Sequence, residues 1–402
     1  MKFALIKERK SPPDRRVVLS PQEAKNLKEK FPHIEIVAES SDIRVFTDQE
    51  YLNQGIEVTQ DLSDCDVLMG VKEVPVEALI PNKKYFFFSH TIKKQPYNRK
   101  LLQAVLEKNI ELYDHETIVD ANKKRIIGFG YYAGVVGAYN TLRAFGIKFE
   151  LFNLPKAENL PDQKALVEAL KRHQLPPIKI ILTGESGKVA QGAKDILDAY
   201  KIKQVSVEDF LTKSYDRPVY AKIGVMDYYK RKDNQLLGKA DLYSNPDEYK
   251  SDFEKFTKVA DILITGHYYD DKAPYILTQE MLKAPSNKLK VVGDVSCDID
   301  GPIACTLRPS TIAEPIYGYH PSEHKEVEYT HPAAITVMAV DNLPCELPKD
   351  ASEGFGKMFV EKVIPAFFNQ DKDGILERAK ITENGKLTPR FAYLQDYVES
   401  NK

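Results

Sequence analysis

The chain has 402 residues, which suggests two or three domains. Its 57 Lys and Arg against 59 Asp and Glu give a net charge of −2, so it lacks the basic excess of a general nucleic-acid binder. With 43% hydrophobic and 29% charged residues it has the composition of a globular protein, and disorder over the whole chain is excluded. No stretch approaches 18 apolar residues; the longest run is Ala333 to Val340, so no membrane span is expected. The N-terminus turns polar at Lys7, too early for a signal peptide, and a cytoplasmic enzyme is expected. The four cysteines (Cys65, Cys297, Cys305, Cys345) show no C-x-x-C pair, so neither a disulfide framework nor zinc is expected.

The first half alternates strand and helix signals. Phe3 to Ile6 reads as a strand, and Ser20-Pro21-Gln22-Glu23 as a capped helix start with proline at the first position, running to Phe31. Strands follow at Ile34 to Ala38, Asp66 to Gly70 and Tyr85 to Phe88. Asn98 to Glu107 has helical spacing, and Ile110 to Tyr113 is the next strand. This alternation predicts a mostly parallel sheet with covered faces. From about residue 135 a second unit is expected. It has a small-residue helix over Tyr132 to Phe145, suited to close packing, an amphipathic segment from Asp162 to His173, and a strand over Ile178 to Leu182. Residues 226–258, charged and tyrosine-rich, read as a solvated insertion, and the span holding His320, His324 and His331 as a solvated loop rather than a metal site. Asp350 to Glu353 opens a helix towards Phe368.

Two regions point to chemistry. The strand ending near Thr183 runs into Gly184-Glu185-Ser186-Gly187-Lys188-Val189-Ala190, followed by a helical run from Lys194 to Tyr200. A strand, a glycine turn and a helix start present free amides at a positive helix end, which accepts a pyrophosphate. The spacing is looser than G-x-G-x-x-G, so the context carries the signal. Glu208 lies 24 residues beyond Gly184, near the ~20 expected for an acidic residue on an adenosine ribose. There it would favour NAD; a plain turn-capping role is the alternative. Thr265 and Gly266, after the apolar run from Ile262, join Gly184, Gly187, Lys188, Val189 and Ala190 in the cofactor set. In the first half, Lys72 and His90 each follow a strand, where ligand crevices of parallel sheets form. A lysine and a histidine there can act as acid and base, although a solvated lysine and a capping histidine are the plain alternatives.

At these residues the chain resembles the lysine–2-oxoglutarate reductase domain and the lysine-forming saccharopine dehydrogenases, grouped with alanine dehydrogenase and the soluble part of proton-translocating transhydrogenase. The resemblance is carried by Asp14-Arg15-Arg16 through Pro21, Gly70-Val71-Lys72-Glu73, Phe87-Phe88-Ser89-His90-Thr91-Ile92-Lys93, Phe129 to Gly137, Gly293 to Asp298, and Val340-Asp341-Asn342-Leu343-Pro344. It implies an α/β fold of two Rossmann-like domains with parallel sheets and the active site in the interdomain cleft. Residues 1–133 plus 331–402 would form the substrate domain and 134–330 the dinucleotide domain. It further implies NAD(P)-dependent interconversion of saccharopine with L-lysine and 2-oxoglutarate, through an imine, with Lys72 and His90 as the acid–base pair. Arg16, Lys93 and Arg125 would hold carboxylates, with Asp14 beside Arg16. Glu116 would tune the lysine or hold the substrate amine, and Asp298 and Asp341 would lie near the cofactor. The choice between NAD and NADP stays open: Lys201 or Lys203 could serve a 2′-phosphate. Val189 stands where fungal relatives carry a cysteine. The alternatives are an alanine dehydrogenase-like enzyme and an inactive nucleotide-binding regulator. Small-molecule partners are expected, with no nucleic acid, no membrane and no metal; direction, oligomeric state and the division of roles between Lys72 and His90 stay open.

Overall fold

In the computed structural model, which describes residues 1–400, the alternation of the first 115 residues becomes a six-stranded parallel sheet. Its strands are β1 (Lys2–Leu5), β2 (Glu35–Glu39), β3 (Glu57–Thr59), β4 (Val67–Met69), β5 (Lys84–Phe87) and β6 (Glu111–Asp114), in the order β3-β2-β1-β4-β5-β6. Most are unbroken apolar runs, as strands buried on both faces must be. Helix α1 (Pro21–Lys30) starts as expected, with the Ser20 hydroxyl accepting the Glu23 amide at 3.3 Å. Helix α2 (Asp48–Asn53), closed by a capping box from Thr47 and Glu50, escaped the sequence reading, whereas α3 (Arg99–Glu107) matches it.

The chain divides into two compact units, Met1–Phe129 with Pro348–Lys402, and Gly130–Leu347. The C-terminal segment returns to the first sheet for reasons of packing. Phe367 meets Phe3 edge-on at 5.4 Å, Phe359 meets Phe86 at 5.7 Å, and the Thr382 hydroxyl accepts the Leu112 amide at 3.0 Å. The return begins at Pro348, where the helix Pro348–Lys362 starts, and not near residue 331. Residues between belong to the second sheet because Ile335–Met338 pairs in parallel with Val291–Gly293.

The second unit opens with α4 (Gly130–Lys148) and α5 (Gln163–Lys171), capped by Asp162. Next come β7 (Lys179–Thr183), α6 (Lys188–Ala199), β8 (Lys203–Gln204), α7 (Val207–Thr212) and β9 (Val219–Ile223). A two-stranded hairpin of β10 (Tyr229–Arg231) and β11 (Tyr249–Ser251) precedes β12 (Ile262–Ile264) and β13 (Val291–Gly293). After β14 (Ile316–His320), β15 (Lys325–Val327) and β16 (Ile335–Met338) the main sheet reads β15-β14-β16-β13-β12-β7-β9-β8. It is parallel except at β14 and β15, which run antiparallel, so the second of the two expected parallel sheets is mixed at one edge. The histidine span is that hairpin and not a free loop: His320 ends β14, and the His324 ring meets the Tyr319 hydroxyl at 2.9 Å.

Residues 226–258 also depart from expectation. Tyr228, Tyr229, Leu242, Tyr249, Phe253 and Phe256 are buried and build one face of the second core, because the aromatics of the segment other than Tyr243 turn inward. The small-residue helix does pack closely. A Cβ on Gly134 would overlap the Val189 carbonyl on α6, and one on Gly192 would overlap the Tyr131 carbonyl on α4. Gly192→Ala therefore forces two helix backbones apart. Its expected cost is about 2–3 kcal/mol, read as a lowered urea midpoint at unchanged slope.

Candidate functional site

In the first unit the strand order reverses between β1 and β4, the point where doubly wound sheets form their crevice. Glu8 lies past β1, and its two carboxyl oxygens accept the amides of Val71 at 2.7 Å and Lys72 at 2.8 Å, past the end of β4. The backbone that carries Lys72 is thus fixed by a buried acid. Burial, aided by the charge of Asp14, pushes the Glu8 carboxyl up to about 8 against the two amides. Because the folded state keeps a proton that the unfolded chain releases from about pH 4.5, this group's stabilisation is complete at low pH and is lost as pH rises towards 8. Glu8→Gln should flatten that fall; urea unfolding of both proteins from pH 5 to pH 8 checks it.

Past β5 and β6 a second buried acid does similar work. Asp114 is fully buried, and its Oδ2 accepts the Ser89 amide at 2.9 Å, the Ser89 hydroxyl at 2.5 Å and the His90 amide at 3.1 Å. Its Oδ1 accepts the Glu116 amide at 2.7 Å. His90 sits at φ 54°, a left-handed conformation uncommon for a residue with a side chain, and Asp114 holds it there. The His90 ring then lies between two carboxylates, with Nε2 3.9 Å from Glu73 Oε1 and Nδ1 3.7 Å from Glu116 Oε2. Glu73 also binds Lys10 at 3.0 Å. Glu116 is faced by Lys93 Nζ at 3.2 Å and Arg125 at 3.5 Å. Burial raises the Glu116 carboxyl, but His90, Lys93 and Arg125 outweigh it and hold the group down at about 2. His115, fully buried against the Gly70 carbonyl at 2.9 Å, is pushed down to about 4 by burial and stays neutral.

Arg16 differs from the expected open fork. It is buried, its Nε and Nη2 donate to Asp14 at 3.0 and 2.7 Å, and its guanidinium lies 4.2 Å over the Phe129 ring. Burial opposes ionisation of Asp14, yet Arg16 foremost and then Lys72 keep it below the ordinary carboxylate range. Lys93 and Arg125 are both about half exposed. The arrangement can move protons through a lysine and an imidazole and can hold anionic ligands. Glu8 and Asp114 escaped the sequence reading, although both stand just past or at strand ends, the same rule that picked Lys72.

In the second unit Gly184 (φ +104°) closes the turn after β7, and a Cβ there would overlap the Gly266 carbonyl past β12. Gly187 stands at the N-cap of α6 and has no side chain of its own to accept the first amides of the helix. The helix starts at Lys188, earlier than the run from Lys194, so the turn meets a helix end as a pyrophosphate requires. These residues fit a dinucleotide. Thr265 is fully buried, and its hydroxyl binds Asp294 at 2.8 Å and accepts the Val295 amide, so it ties β12 to β13 and offers no side chain to a cofactor. Asp298 and Asp341 are exposed and stand beyond β13 and β16, at the same edge as the turn. Glu208 is misplaced for a ribose. It lies exposed in the first turn of α7 after the edge strand β8, and β9 intervenes between β8 and β7.

A doubly wound sheet with a glycine turn at a helix start, joined in one chain to another doubly wound sheet that gathers His90 among carboxylates and cations, is the architecture of a dinucleotide-dependent oxidoreductase. The chain belongs to the alanine dehydrogenase/PNT family: residues 4–136 match its N-terminal domain and residues 217–389 its C-terminal domain. It is 30% identical to the α-aminoadipic semialdehyde synthase of Arabidopsis thaliana over 96% of this chain and 41% of that protein. It is 28% identical to the lysine-forming, NAD+ saccharopine dehydrogenase of Schizosaccharomyces pombe over 92% of this chain and 94% of that one. The chain spans less than half the length of the aminoadipic semialdehyde synthases it matches. An L-alanine dehydrogenase structure shares the fold, with a TM-score of 0.67 at 17% identity over 99% of this chain and all of that chain. A Sinorhizobium meliloti transhydrogenase does so at 0.57 and 16%, over 96% and 99%. No helix among the described residues is long and apolar enough to cross a membrane.

Proposed function

We propose that the chain interconverts saccharopine with L-lysine and 2-oxoglutarate, using NAD or NADP. The observation that carries this reading is the His90 imidazole set between the carboxylates of Glu73 and Glu116, with Lys72 one residue from Glu73. The ε-amine of lysine adds to the keto carbon of 2-oxoglutarate, the carbinolamine loses water, and the resulting imine is reduced. A bound nicotinamide supplies the hydride for that reduction. Lys72 and His90 move the protons at nitrogen and at the carbinolamine oxygen. Lys93 and Arg125 hold substrate carboxylates, and Glu116, anionic at any working pH, is placed to hold a substrate ammonium or to support the charged imidazole. Arg16, locked by Asp14, shapes the crevice. The cofactor set is Gly184, Gly187 and the amides of Lys188, Val189 and Ala190 with Gly266 beside the turn, and Asp298 and Asp341 near its nicotinamide end. The names of the relatives support the reaction, and a cytoplasmic enzyme completes the reading.

The test is oxidation of NADH or NADPH that requires lysine and 2-oxoglutarate together. Turnover with pyruvate and ammonia would instead make the protein an alanine dehydrogenase. Tight nucleotide binding with no turnover across a panel of amines and 2-oxo acids would make it a nucleotide sensor.

A further inference from the structure

On one side β7 pairs with β9, which ends at Ile223 and is followed by Gly224 rather than by an acidic residue. In doubly wound nucleotide sites, the end of the neighbouring strand is where a carboxylate meets the adenosine ribose. Here a carboxylate reaches that position from the glycine turn itself. A Cβ on Gly224 would overlap the Glu185 carboxyl group, so the Glu185 side chain lies across the end of β9. Asp227, the next acid along, turns its carboxylate back onto the Gly224 amide at 2.7 Å. Two cations converge on Glu185: Lys222 donates to its carbonyl at 2.6 Å, and Lys239 pairs with its carboxylate. One residue past Gly224, Val225 borders a pocket shared with Tyr243 and Tyr268, whose 66% and 84% exposure leaves flat faces for a purine ring.

We propose that Glu185 accepts the adenosine ribose hydroxyls and, with Lys239, decides between a free 2′-hydroxyl and a 2′-phosphate. The proposal rests on the dinucleotide reading of this turn. A ribose hydroxyl donates to the Glu185 carboxylate, whereas a 2′-phosphate dianion beside it is repelled. Removing the Glu185 charge leaves Lys239 and Lys222 as unopposed cations at the same place, so the preference turns towards the phosphate. Specificity therefore resides in the residue after the first glycine of the turn and not at a strand end.

The test is calorimetric titration of the full chain with ADP-ribose and with 2′-phospho-ADP-ribose, neither of which carries the nicotinamide. In Glu185→Gln, the affinity ratio is expected to move towards the phosphorylated ligand by about tenfold or more, the worth of one charge-assisted hydrogen bond. Lys239→Met is expected to weaken the phosphorylated ligand selectively. Because both side chains are about half exposed, both variants should melt within a few degrees of the parent; a misfolded Glu185→Gln leaves Lys239→Met to decide. A ratio unchanged within about twofold in the folded variants overturns the proposal while the parent still binds ADP-ribose. Failure of the parent to bind either ligand overturns the dinucleotide reading, and this inference with it.

Discussion

Lys72→Met and His90→Gln are expected to keep nucleotide binding and to lose about 10²–10⁴-fold in kcat each. Both residues belong to the first unit, whereas the glycine turn belongs to the second, with its own sheet and cores. Neither substitution needs to disturb its surroundings. The Lys72 amide, which Glu8 holds, is backbone and survives any side chain. The His90 amide is likewise held by Asp114, and glutamine keeps polar atoms near Glu73 and Glu116. The loss should therefore fall on kcat, with nucleotide affinity in direct titration unchanged and the melting temperature close to the parent's. Normal turnover in both variants would remove the proposed roles. The double variant should cost less than the product of the singles, because two groups that serve one proton path are not additive.

Legibility in the sequence followed the range of the interactions. The start of α1 was readable because Ser20, Pro21 and Glu23 satisfy its amides within four residues. The strands of the first sheet were readable as apolar runs, and Lys72 and His90 stood out by following them. Helix α2 was missed because its apolar content is slight, Tyr51 being its one buried side chain. The placement of β16 was not readable, because Ile335 to Met338 would fit the middle of either sheet and only pairing with β13 decides. The tyrosine-rich insertion misled because its charges dominate the composition while Tyr228, Tyr249 and Phe253 turn inward. Glu208 lay at the expected spacing but follows an edge strand, and strand order is not written in spacing. Glu8 and Asp114 bind amides 63 and 25 residues away, a separation that no local pattern announces.

Asp114→Ala is expected to destabilise the first unit by about 3–5 kcal/mol and to remove most of kcat even where the protein stays folded. The carboxylate holds three backbone amides and one hydroxyl inside the fold, at Ser89, His90 and Glu116. Removing it leaves those donors buried without their acceptor, and each costs about 1–3 kcal/mol if nothing replaces it. Without that acceptor the left-handed turn at His90 loses its anchor, and the ring need no longer lie between Glu73 and Glu116. Asp114→Asn separates the two effects. It preserves the shape and one acceptor oxygen, but its amide nitrogen must face a donor on the other side. It is expected to lose less stability than alanine while still losing turnover. A positional role is visible in the placement of the His90 ring, followed by NMR through its contacts to neighbouring rings. In Asp114→Asn the contacts between the His90 and Phe88 rings, stacked at 6.2 Å in the parent, should weaken, because the turn that places the His90 ring has lost its anchor. Unchanged His90 ring contacts alongside lost turnover would sink the positioning role, and full turnover in a stable Asp114→Asn would show that these hydrogen bonds serve folding alone.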